Sequence, residues 1–142
     1  MTVSTFLSAA RGPVIQADAG DTVAHVVRLL AERRIGCVPI VEEDRVVGIF
    51  SERDVVYGLA RDGAALLDRP VGEVMTQPAV TITPQTPILS ALSLMTRRRI
   101  RHLPIVEGGR MVGFVSIGDL VKSRMDRIES EVDAMRSYIQ SA

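Results

Sequence analysis

The sequence predicts a mixed α/β protein, two β-α-β-β-α repeats packed with pseudo-twofold symmetry and followed by a long C-terminal helix. Three observations lead there. Setting residue n against n+65 aligns the chain with itself without a gap, the mark of an internal duplication. Each half carries a helical apolar pattern between short β-rich runs, and the last segment spaces its apolar residues alternately four and three apart. Under the offset Pro39 falls on Pro104, Gly48 on Gly113, Ser51 on Ser116 and Asp54 on Asp119. Arg33-Arg34-Ile35 likewise falls on Arg98-Arg99-Ile100, and Ile40-Val41-Glu42 on Ile105-Val106-Glu107.

The elements follow in order. A short apolar strand, Val14-Ile15 in the first half and Val80-Thr81-Ile82 in the second, precedes a turn marked by Gly20 or by Pro84 and Pro87. An amphipathic helix comes next, with Val23, Val26, Val27 and Leu30 matching Ile88, Ala91, Leu92 and Met95. Two β segments follow: Val38–Val41 with Arg45–Phe50, then Leu103–Val106 with Arg110–Val115. Glu42-Glu43-Asp44 and Glu107-Gly108-Gly109 between them suit tight hairpins. A second helix starts after Ser51 or Ser116. The expected divisions are 1–61 for the first repeat with its lead-in, 62–78 for a linker, 79–122 for the second repeat and 123–142 for an amphipathic helix. Within the linker, Val71–Met75 is expected to make a short turn that docks on the core. Halves this small are weak solo folders and are expected to share one interface.

Composition narrows the function. Of 142 residues, 46% are hydrophobic and 24% charged, which is globular and not disordered composition. Lys+Arg and Asp+Glu are 17 each, so no global field draws nucleic acid or an anionic membrane. The single cysteine, Cys37, forms no internal disulfide and has no thiolate partner for a zinc site, which suits a reducing, cytoplasmic setting. The N-terminus has no basic segment ahead of an apolar run as a signal peptide would, and no stretch reaches the length of a membrane span. With no Trp, two Tyr and three Phe, the core is aliphatic.

The motifs Gly48-Ile49-Phe50-Ser51-Glu52-Arg53-Asp54 and Gly113-Phe114-Val115-Ser116-Ile117-Gly118-Asp119, with Val74-Met75-Thr76 and Ile100-Arg101-His102-Leu103-Pro104, carry a resemblance. The chain resembles a free-standing tandem CBS-domain protein, named for the regulatory pair of cystathionine β-synthase, over about residues 10 to 125. The resemblance implies a regulatory, energy-sensing module rather than an enzyme. Its clefts would take an adenosine-containing ligand: AMP, ADP or ATP, with NAD(H) or S-adenosylmethionine as further candidates. It also implies a homodimer and a regulated partner protein.

Each motif has a plain structural account beside the functional one. Ser51 and Ser116 can cap helices with Asp54 and Asp119 in the first turn. The same groups can receive phosphate at the helix N-terminus and hold both ribose hydroxyls on the carboxylate. The run Arg97-Arg98-Arg99 suits a solvated helix end. Arg101 and His102 stand beside a strand start that the family places in the cleft wall, where they could hold phosphate. Their counterparts Gly36 and Cys37 cannot, and Cys37 reads first as a small packed residue. In the family each cleft takes Ser and Asp from one repeat and its lining from the other. One cleft then sets Ser51 and Asp54 against Thr81, Ile82, Thr83, Ile100, Arg101, His102 and Pro104. The other sets Ser116 and Asp119 against Gln16, Ala17, Ile35, Gly36, Cys37 and Pro39, and is expected to bind more weakly.

The tail residues Val121, Met125, Ile128, Val132, Met135 and Ile139 form a heptad seam, fit for the protein's own body or for a partner helix. No nucleophile–base pair and no metal-ligand spacing is present, so catalysis is not expected. Two other readings stay open: a dimeric interaction scaffold with degenerate clefts, and nucleic-acid binding through Arg97 to Arg101, which zero net charge disfavours.

Overall fold

A computed structural model describes residues 1–7 and 12–141. The first repeat comprises β1 (Ala17–Asp18), α1 (Val23–Arg33), β2 (Cys37–Glu42), β3 (Arg45–Ser51) and α2 (Glu52–Asp62). A 3-10 helix (Gly63–Asp68) and the short α3 (Val71–Val74) lead to α4 (Ile88–Arg98), β4 (His102–Glu107), β5 (Arg110–Ser116) and α5 (Ile117–Ser141).

The duplication holds at the level of backbone pairing. Ala17 pairs with Ile40 and Ile82 with Ile105, both in parallel. Cys37 faces Ser51 as His102 faces Ser116, and both hairpins shift register at the same step, Ile40/Val41 and Ile105/Val106. The hairpin tips adopt successive positive φ values, 52° and 64° at Glu43 and Asp44, 61° and 81° at Gly108 and Gly109. Two left-handed residues in a row match the right-handed twist of the flanking strands. Both first helices end alike, with Arg34 and Arg99 left-handed at φ 53° and 55°.

The first strand departs from the sequence reading. Val14 and Ile15 lie in no strand; β1 starts at Ala17, whose small side chain is buried against β2. In the second repeat the pairing shrinks to the single Ile82–Ile105 bridge. Position along the strand was set by which residue meets Ile40 in the core, not by which is most apolar. The C-terminal half also differs: the second helix of repeat two and the tail are one continuous helix of 25 residues.

Two aliphatic cores form, and the connecting segments cross between them. Val23, Val26, Val38, Ile40 and Phe50 build the first, with Leu66 and Val71 added from the segment after α2. Ile88, Ala91, Met95, Leu103, Ile105 and Leu120 build the second, with Val3 and Phe6 added from the N-terminus. The residues counted by chain order with the first repeat thus pack on the second. Matching backbone bonds fasten both: Val3 N–H to Thr86 O at 2.9 Å, and Val71 N–H to Asp21 O at 2.7 Å. Gly48 and Gly113 mark the crossings. A Cβ on Gly48 would lie 2.8 Å from Thr76 O, and one on Gly113 2.6 Å from Phe6 O.

Candidate functional site

At the junction of β3 and α2 the chain turns from strand to helix, and Ser51, extended at φ −126° and ψ 168°, caps the helix. Its Oγ accepts from the Asp54 N–H at 3.4 Å, and Asp54 Oδ2 accepts from the Ser51 N–H at 3.0 Å and the Ser51 hydroxyl at 3.2 Å. The Thr76 hydroxyl, brought over by the crossing segment, donates to Asp54 Oδ1 at 2.9 Å. The second repeat repeats the box: Ser116 N–H to Asp119 Oδ2 at 3.0 Å, and Asp119 N–H to Ser116 Oγ at 3.1 Å. The plain account of the S-x-x-D motif is therefore realised in full. It also fixes each carboxylate in one orientation at the mouth of a cleft.

The helix N-termini are less bare than a phosphate-receiving reading requires. Glu52 N–H donates to Gly36 O at 3.0 Å, and its counterpart Ile117 N–H to Arg101 O at 2.8 Å. With Asp54 N–H on Ser51 Oγ, two first-turn donors of α2 are already satisfied. A phosphate here depends mainly on side chains.

Cleft one, about 450 Å³, places Ser51, Glu52, Arg53, Asp54, Ile49 and Thr76 across from Arg99, Ile100, Arg101 and His102, with Gly36 and Cys37 between. Cleft two, about 410 Å³, places Ser116, Asp119, Gly113 and Phe114 across from Ile35, Gly36 and Cys37, with Phe6 and residues 12–15 along one wall; His102 lines this cleft too. Each cleft is thus assembled from both repeats. Three arginines face the first; among the described residues the second has none.

Two further side chains matter because they stand at equivalent strand starts. The imidazole of His102 stacks on Phe114, centroids 5.5 Å apart and planes 15° apart. Burial pushes its pKa below the ordinary 6.5; the Asp119 charge opposes this and Arg101 adds to it. His102 is therefore neutral near pH 7 and offers one N–H, not a positive charge. Cys37 is buried, and desolvation first, then the Asp54 carboxylate, push its thiol up to about 12. A thiol so held is inert, as its packed position suggested.

Of the residues singled out from sequence, Ser51, Asp54, Ile100, Arg101 and His102 come together in cleft one, and Ser116, Asp119, Ile35, Gly36 and Cys37 in cleft two. The others do not line either. Thr81 is exposed, and Thr83 spends its groups on a turn, accepting or donating with the Thr86 hydroxyl at 3.3 Å while its N–H donates to that oxygen at 3.1 Å. Ile82 and Ala17 point into the two cores, Pro39 and Pro104 are buried within β2 and β4, and Gln16 is exposed. The lining falls earlier in the first repeat, on Pro13 to Ile15, because the strand begins later. Sequence reasoning missed Thr76, Arg53, Phe6 and Phe114. Arg53 and Phe114 sat inside quoted motifs, and Thr76 ended another; Phe6 carried no local signal.

No group of three or more metal-ligating side chains gathers among the described residues, and no described helix is long and apolar enough to cross a membrane. The model of the CBS domain matches twice, at residues 6–61 and 71–126. The chain belongs to the CBS-domain family. This CBS-domain pair superposes on a putative signal-transduction protein with CBS domains from Burkholderia ambifaria with a TM-score of 0.80, at 33% identity, covering 89% of this chain and 95% of that one. It also superposes on the CBS domain pair of protein MJ0100, solved with 5′-methylthioadenosine and S-adenosylmethionine: TM-score 0.77, 25% identity, 89% and 98% covered. Among curated proteins it is 34% identical over 125 residues to the mitochondrial CBS domain-containing protein CBSX3 of Arabidopsis thaliana. That match takes in 84% of this chain and 61% of the plant protein, so the chain spans about three fifths of that relative's length.

Proposed function

We propose that this CBS-domain pair is a non-catalytic regulatory module that binds an adenosine-containing ligand, with AMP, ADP or ATP the best fit, in cleft one. The observation that carries the reading is the Ser51–Asp54 box set across a 450 Å³ space from Arg101 and His102. That volume lies in the range of small-molecule sites. An orientated carboxylate accepts from both ribose hydroxyls, while guanidinium groups hold phosphate oxygens bidentately. The adenosine ligands of the MJ0100 pair support the nucleoside half of this assignment. Regulation requires that the ligand favour one arrangement of the module over another, read out by a regulated partner protein. The reading includes a cytoplasmic setting and a homodimer.

Calorimetric titration of the full chain with AMP, ATP and 5′-methylthioadenosine tests it. One site tighter than the other, with the phosphate-bearing ligands preferred, is the expected result. Absence of binding by all three at millimolar concentration would return the chain to the scaffold reading, in which α5 alone meets the partner.

A further inference from the structure

The second half of α5 has no role in either cleft. Leu120 is its last fully buried residue, and from Met125 to Ser141 every residue is exposed. The seam residues Val121, Met125, Ile128, Val132, Met135 and Ile139 are 41–67% exposed, so the helix does not fold its apolar face onto its own body. A solitary helical stretch of this length is marginal in water and gains most of its stability from packing.

We propose that α5 pairs with α5 of a second copy of this chain as a parallel, in-register two-stranded coiled coil. The charges flanking the seam choose both partner and direction. With Met125, Val132 and Ile139 at the first apolar position of each heptad, the flanking positions are Lys122, Arg124, Glu129, Glu131 and Arg136, then Tyr138. In a parallel pair each residue after the second apolar position meets one five places earlier on the other helix. Arg124 then meets Glu129 of the second copy and Glu131 meets Arg136, and each pair occurs twice by symmetry. In the antiparallel register that stacks Met125 on Met135 and Ile128 on Val132, Lys122 would face Arg136, and Glu129 and Glu131 would each face themselves. Arg124 would face uncharged Tyr138; like charges at the other three flank pairings disfavour this register. Within the chain, Arg127 Nε already lies 3.2 Å from Glu131 Oε1, holding that carboxylate along the helix flank. Arg124 is half-buried, sharing a shallow groove with Met1 and Ile88, so the seam begins where the domain body ends.

The inference rests on the dimer of the proposed function and adds its geometry. The test uses the full chain carrying both Met125→Cys and Met135→Cys, oxidised and mapped by mass spectrometry. Links joining 125 to 125 and 135 to 135 are expected; links joining 125 to 135, or no links in a chain that sediments as a dimer, overturn the geometry while leaving the dimer standing. A chain that sediments as a monomer at tens of micromolar overturns both. Native Cys37, buried with its thiol at about 12, contributes little background. Independently, Glu129→Arg is expected to raise the dimer dissociation constant about tenfold at low salt. Adding Arg124→Glu to it should restore the parent value within about twofold. An unchanged constant in the single variant, or no recovery in the double, would count against the pairing.

Discussion

The two clefts share one scaffold and differ in chemistry. Both set a Ser-Asp capping box across from a strand start of the other repeat, and both are similar in size. Two exchanges under the repeat offset separate them, Arg53 for Gly118 and Arg101 for Gly36, while His102 and its counterpart Cys37 line both. Cleft one thereby gains guanidinium groups, while cleft two is walled by Phe6, Phe114 and the residues before β1. Duplication preserved the backbone registers because each repeat needs them to bury its core. The strand-start residues carry no such duty, so they were free to diverge, and the divergence gives the two clefts different charge.

The largest break in this comparison should come from Asp54→Ala. Losing a charged hydrogen bond to ribose costs roughly 1.5–3 kcal/mol, about 10- to 150-fold in affinity at the tighter site. Asp119→Ala should leave that site nearly unchanged and weaken the other. Calorimetry with AMP on both variants separates the clefts, and equal losses would erase the asymmetry. Part of either effect is structural, since each aspartate closes a capping box, so melting curves belong beside the titrations.

Next come the crossings. Gly48→Ala and Gly113→Ala are each expected to cost about 1–3 kcal/mol, because a methyl group would overlap the backbone oxygen of Thr76 or Phe6. Chemical denaturation measures both. Gly48→Ala should also weaken ligand in cleft one, as it displaces the segment whose Thr76 steadies Asp54; Gly113→Ala should not.

A smaller effect is expected from Arg101→Ala, an exposed side chain: about tenfold weaker binding of ATP and little change for 5′-methylthioadenosine, which has no phosphate. Equal losses for both ligands would show that Arg101 does not act on phosphate.

The strand-start pair differs in titration. His102 has its pKa pushed below 6.5 by burial, so the unfolded chain binds its proton more readily. The stability that neutral His102 supplies is whole above pH 6.5 and is lost as pH falls through 6.5 towards the lower folded-state value. Thermal melts of the parent should show this decline, and those of His102→Gln should show less of it. Cys37, at about 12, should give the smallest signal: native-state labelling by a disulfide reagent at pH 8, on the order of a thousandfold slower than in the denatured chain.

Much of this was legible in the sequence. Helical periodicity, hairpin tips and capping residues act within a few positions of one another, so the repeats, the hairpins, α1 and α4, and the Ser-Asp boxes could be read directly. The offset then turned one half into a check on the other, and the contrast of Arg101-His102 with Gly36-Cys37 was visible before any fold was known. Tertiary structure decided what depends on distant partners. Ala17, not Val14-Ile15, became the strand because it is the residue that fits against Ile40. Thr81 is exposed and Thr83 is held in a turn with Thr86, while Thr76 enters cleft one because its segment pairs back on Ile49. Phe6 reached cleft two and the second core by the matching crossing at Gly113. Such exchanges leave no local signature, since they are driven by burial of apolar surface between segments far apart in the chain, and that force is blind to sequence order.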